Sequence, residues 1–206
     1  MNSLFISELW RNPQFFLVAF FFVVFSVSCH EFMHAWVALK QGDPTAADRG
    51  HLTLNPLRQM GLWSLILFAF VGIAGGAVPV NPANFRHRHS RALVALAGPS
   101  ANLMLGIIFA LVFALVPLPE VTRNNLVYGA ALNFALLLLN LLPVPGLDGW
   151  SVLADFFPKI ERCDSEWIKG AFFVLIALVF FFMEYLWIAA GLMFSCVVGL
   201  ITLIAG

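Results

Sequence analysis

Charge is what this sequence has least of. Only 11% of its 206 residues are Asp, Glu, Lys or Arg, whereas 61% are hydrophobic. A soluble domain carries about a quarter charged residues, so the composition excludes an ordinary soluble enzyme and points to a lipid bilayer as solvent. The 11 acidic and 11 basic residues cancel, so bulk charge suggests no nucleic-acid partner. Cysteine is scarce as well: Cys29, Cys163 and Cys196 are odd in number and scattered, and imply no disulfide framework. No small-residue cleavage pattern follows the first apolar stretch, so the N-terminus does not read as a cleavable signal peptide. Internal repeats and low-complexity linkers are also lacking. Residues 1–206 are therefore expected to form a single membrane-embedded domain.

The apolar tracts carry the information. Residues 15–39 are long enough to cross a bilayer, which takes about 20 residues, and contain one charged residue, Glu31. An ionisable group at membrane depth is costly and marks a functional site by default. Here it stands in His30-Glu31-Phe32-Met33-His34. Histidines four apart share a helix face, so both imidazoles can reach one zinc ion. The glutamate about 100° round the helix is placed to take a proton from water at that ion.

Further along, residues 41–58 are polar and turn-rich, with a strand-like patch at 51–54 that suggests a small hairpin or loop at the membrane surface. Residues 61–80 are apolar, but their second half, Gly72-Ile73-Ala74-Gly75-Gly76-Ala77-Val78-Pro79-Val80, is poor for a helix and good for an extended return. A basic patch follows at 86–91, then spans at 92–116 and 126–142. Residues 151–169 have an amphipathic flavour. Residues 168–206 form an apolar tract broken softly near Glu184 and Gly191, expected to make two spans. The expected fold is an all-α polytopic membrane protein: about five transmembrane helices, with a re-entrant loop or short hairpin between the first and second. Its catalytic core would cover about 15–150 and its C-terminal helices about 168–206.

A hydrolytic zinc needs a third protein ligand and an open position. The position six after His34 is Lys40, and the first glutamate after Glu31 is Glu120, so neither common soluble pattern fits. Asp43, Asp48, His51, His87, His89 and Asp148 remain. The first five lie in polar loops where solvated charge is ordinary. Asp148 lies where Pro143, Pro145 and Gly146 unwind a helix that has just crossed the membrane, and a carboxylate there is expensive without a metal or counter-charge, so it is preferred. For the histidines and Asp148 to share a layer, their two helices should run parallel, which makes 61–80 re-entrant. Nine Lys and Arg then lie on one side, against Arg11 and Arg123 on the other; a full span there would give seven against four. The positive-inside rule prefers the first division, with the site opening to the cytoplasm and the N-terminus outside.

These residues resemble the site-2 proteases, which are intramembrane zinc metallopeptidases. The match rests on His30-Glu31-Phe32-Met33-His34, on Gly98-Pro99-Ser100-Ala101-Asn102, and on the run from Asn140 through Pro143 to Leu147-Asp148-Gly149. The resemblance implies one zinc per chain held by His30, His34 and Asp148, with Glu31 as general base. It also implies that Asn140 supports the substrate carbonyl or developing oxyanion. The glycine-rich loop holding Gly75 and Gly76 is similar to the family segment that dips toward the active site. Asn102 divides evenly between site support and a bond to a neighbouring helix. Many members carry PDZ or CBS domains; this chain reads as a minimal member, regulated if at all by a partner protein. The expected activity is cleavage of peptide bonds in or near transmembrane segments of other membrane proteins. The alternative is a metal- or proton-coupled carrier using the same His/Asp cluster. Carriers spread polar residues through many spans and repeats, whereas here one site concentrates them. A catalytically dead scaffold is weakened because every catalytic position holds a competent residue.

Overall fold

The computed structural model describes residues 4–162 and 165–205, which are all-helical with no strand among them. The helices that matter for the site are α1 (Pro13–Lys40), α2 (Gly61–Val71), α3 (Ser90–Leu115), α4 (Glu120–Asn140), α5 (Asp148–Phe156) and α6 (Ser165–Ala205). The chain divides into two compact units, Met1–Arg86 and His87–Gly206.

In the first unit, α1 starts where the sequence allows: Asn12 accepts a hydrogen bond from the Phe15 amide at 3.1 Å, and Pro13 occupies the first turn, where its missing N–H costs nothing. Its 28 residues rise about 42 Å at 1.5 Å each. Phe5, Phe16, Phe20 and Phe68 stack with ring centroids 4.9 to 6.1 Å apart, joining the N-terminal lead to α1 and α2. At 11 residues α2 is only about 16 Å long, short of the roughly 30 Å hydrocarbon core. It ends at a left-handed Gly72, after which residues 73–80 belong to no helix and no strand, in keeping with a composition poor for a helix. Residues 51–54 form no strand. The Gln59 amide donates to the carbonyls of His51 (2.7 Å) and Thr53 (2.5 Å), so a side chain does the pairing that a second strand would have done.

In the second unit, α3 packs along α4, α4 along α6, and α5 on α3. The core is Ala130, Phe134, Ala135, Leu137 and Ala190, flanked by Ile107, Phe109, Leu186, Met193, Phe194 and Val197. Outward positions such as Leu103, Met104, Ile108, Leu192, Leu200 and Leu203 are exposed leucine, methionine and isoleucine, the surface expected of a helix facing lipid. Three described helices are long and apolar enough to cross a membrane: Pro13–Lys40, Ser90–Leu115 and Phe181–Ala205. Helix α4 is long enough, but Glu120, Arg123 and its asparagines lower its hydropathy. The two C-terminal spans expected from the sequence are instead one helix, α6, of 41 residues. Gly191 costs a helix interior about 1 kcal/mol, too little to break it against packing, and Glu184 is exposed on its surface.

One buried polar contact ties the α3–α4 pair. Asn102 Nδ2 donates to Asn133 Oδ1 at 3.0 Å, Asn133 Nδ2 donates to the Gly129 carbonyl at 2.8 Å, and both asparagines are fully buried. This is the helix-bonding role weighed for Asn102. Asn102→Ala should therefore lower stability in detergent by about 1–2 kcal/mol, read as a fall in thermal midpoint; an unchanged midpoint would show that the pair is no cross-link.

Candidate functional site

His30, Glu31 and His34 lie in the C-terminal half of α1 and are all buried. The i, i+4 spacing brings His30 Nε2 and His34 Nε2 to 3.0 Å, with the rings nearly perpendicular at 81°. Two ligands each 2.0–2.1 Å from a tetrahedral ion are about 3.3 Å apart. The pair is thus already close to the bite that one metal ion requires, and the donor chemistry fits.

Glu31 meets the segment that follows α2. A Cβ added to Gly76 would lie 2.5 Å from Glu31 Oε1 and 2.6 Å from its Cδ, so any larger residue here would have to displace the Glu31 side chain. The neighbouring Gly75 is tied to α2 twice: Ser64 Oγ donates to its carbonyl at 2.5 Å and accepts from its amide at 3.0 Å. The Ala77 amide donates to the Gln59 carbonyl at 3.3 Å. The structure therefore brings His30, Glu31, His34 and Gly76 together within the first unit.

Asn140 and Asp148 belong to the second unit, on either side of one tight connection. Asn140 closes α4 and donates from Nδ2 to the Leu136 carbonyl at 2.9 Å. The Val144 amide donates to Leu142 (2.8 Å) and the Leu147 amide to Val144 (2.9 Å). Pro145 and Gly146, the latter at φ 93°, fill the central positions of a type II turn, whose second central residue requires positive φ. Asp148 then opens α5, where the helix dipole favours a carboxylate. Gly149 is pressed against the carbonyls of Leu141 and Leu142, closely enough that a Cβ would collide with both.

The far end of α5 is held by residues that the sequence did not single out for this work. His89 Nδ1 lies 2.8 Å from Asp155 Oδ2, with the Asp155 side chain buried, and the Phe156 ring stacks on His89 at 5.1 Å. His89, weighed as a loop ligand and as a surface residue, is a clamp on α5. Asp43, another loop candidate, is fully buried among hydrogen-bond donors. Its Asp-Pro-Thr setting was the available sign, because aspartate readily bonds the backbone two residues on.

Known proteins resemble this chain. A profile described as Peptidase family M50 matches residues 15–125, which include His30, Glu31, His34, Gly75, Gly76 and Asn102 but stop short of Asn140 and Asp148. YwhC of Bacillus subtilis, provisionally named a zinc metalloprotease, is 33% identical over 171 residues, covering 77% of each chain. Rip2 of Mycobacterium tuberculosis H37Rv, with the same provisional name, is 39% identical over 147 residues, 66% of this chain and 56% of that protein. MJ0611 of Methanocaldococcus jannaschii, also provisionally a zinc metalloprotease, is 27% identical over 157 residues, 74% of this chain and 80% of that protein. No solved structure matches.

The Gly76 contact yields a direct test. Gly76→Ala should leave metal binding by the histidine pair intact while displacing Glu31, lowering any turnover that depends on that carboxylate about tenfold or more. Metal content and turnover measured side by side check it; wild-type turnover would show that Glu31 tolerates the methyl group.

Proposed function

The chain belongs to peptidase family M50, and from that premise we propose that it is an intramembrane endopeptidase that cleaves peptide bonds in or near transmembrane segments of other membrane proteins. The observation that carries the proposal is the His30–His34 bite beside Glu31 within a helix long and apolar enough to cross a bilayer. The chain is an integral membrane zinc metalloprotease, and we assign one zinc to it, with Asp148 joining His30 and His34. Two imidazoles and a carboxylate leave a fourth position open, the donor set of hydrolytic zinc sites.

Bound zinc supplies Lewis acidity, drawing the pKa of water toward 7 and polarising the scissile carbonyl. The remaining chemistry belongs to the chain. Glu31 takes the proton of the attacking water and later delivers one to the leaving amine. The Asn140 amide has two N–H donors; with one used on Leu136, the other is available for the substrate carbonyl as it becomes an oxyanion. A helical substrate must unwind to present its carbonyl, because its backbone is otherwise hydrogen-bonded. The non-helical backbone at 73–80 offers an edge against which an unwound stretch can lie.

In this reading both units form one protease domain, with α1, α3, α4 and α6 crossing the bilayer. Helix α2 and the segment that follows it enter and return on one side. That arrangement keeps nine Lys and Arg on the cytoplasmic face, onto which the site opens, and leaves the N-terminus outside.

Glu31→Gln should retain zinc yet lose cleavage of a single-span substrate by about 10²-fold or more. Zinc analysis with a cleavage assay in proteoliposomes decides this, and undiminished cleavage would sink the mechanism.

A further inference from the structure

Asp43 has no part in the chemistry above, yet its carboxylate accepts four hydrogen bonds. It follows α1 through a glycine-capped end: the Gly42 amide (φ 104°) donates to Leu39 at 3.1 Å and the Asp43 amide donates to Ala38 at 2.9 Å. That pair of bonds is a Schellman cap. Oδ1 accepts from the Thr45 amide (3.1 Å), the Thr45 hydroxyl (2.5 Å) and Asn84 Nδ2 (2.8 Å); Oδ2 accepts from the Asn81 amide at 2.6 Å. Every partner donates. An amide in its place would turn an NH₂ group toward one of those donors. Burial alone would raise the carboxyl, but the bonds from Thr45, Asn81 and Asn84 outweigh it and hold Asp43 below its ordinary value of 3.8. Its charge and bonds therefore persist above the ordinary carboxylate range and are lost only as pH falls through that lowered value.

The geometry connects this hub to the reaction. From Glu31 to Gln41, α1 and its cap rise about 15 Å. From Gly76 to Asn81 the chain can reach at most about 17 Å, at 3.3 Å per residue. That reach is only just sufficient, so anchoring Asn81 beside the C-terminal end of α1 holds Gly76 at the level of Glu31.

We propose that Asp43 is a positioning residue for Glu31: it fixes the register of residues 73–81 against α1 and thereby holds the Gly76 backbone on the catalytic carboxylate. This rests on the reading of Glu31 as general base. Slippage of one residue would shift the segment by about 3.3 Å and point its side chains the opposite way.

The test compares Asp43→Asn and Asn84→Ala with the wild type in proteoliposomes, reading zinc content, hydrogen exchange over 73–81, and kcat and KM on a single-span substrate. For Asp43→Asn, zinc should stay at the wild-type level, exchange should quicken about tenfold, and kcat should fall about tenfold while KM changes less than about threefold. Asn84→Ala, which removes one donor and keeps the Asn81 bond, should move both readouts in the same direction by a smaller factor, and it carries the test if Asp43→Asn does not fold. Wild-type exchange in both variants, or faster exchange with wild-type kcat, would overturn the proposal. Failure of the catalytic reading is distinguishable, because Glu31→Gln would then cleave normally while the exchange measurement still reports on the segment.

Discussion

A carboxylate and two imidazoles buried in a helix otherwise rich in Phe, Val and Ala set the terms for everything around them. Water cannot rescue an unmet polar group at that depth, so each neighbour must be apolar, a metal ligand, or backbone brought up deliberately. The Nε2–Nε2 distance of 3.0 Å suits the first demand, since the two nitrogens stand close enough for a single ion to hold both. The approach of Gly76 to Glu31 meets the second with backbone alone. The same stretch of backbone is itself supported: the Gly75 amide and carbonyl are bonded to Ser64, and the Ala77 amide to the Gln59 carbonyl.

The second unit answers a similar demand by rigidity. Asp148 begins a nine-residue helix that is fixed at one end by a turn too tight for a side chain at position 149 and at the other by the His89–Asp155 pair. A carboxylate mounted in this way loses little entropy when it takes up a ligand, and such pre-organisation is what metal sites need from their surroundings.

What was legible in the sequence follows from how local each signal is. His30, Glu31 and His34 lie within one helical turn, and a helix turns spacing into geometry without further information. The end of helix at Gly72 and the non-helical course of 73–80 were readable because glycine and proline act on their own backbone. The Pro-Gly turn before Asp148 was readable for the same reason. Less was visible where the outcome depended on a distant partner. Gly191 and Glu184 suggested a break that packing of α6 against α4 overrides, and the apparent strand at 51–54 was claimed by Gln59. The roles of His89 and Asp43 depend on residues 66 and 38 positions away, which no window on the chain can supply.

The proposed register, with Glu31 to Gln41 on one side and Gly76 to Asn81 on the other, has a consequence for how this region can vary. Surface connections ordinarily accept insertions and deletions because neither end is measured against anything. This one is gauged against a helix, and helix and extended chain advance by different steps, about 1.5 and 3.3 Å per residue. No single added or removed residue on one strand of the frame can be balanced by one on the other. Substitutions that keep the spacing should be absorbed here far more readily than any change in length.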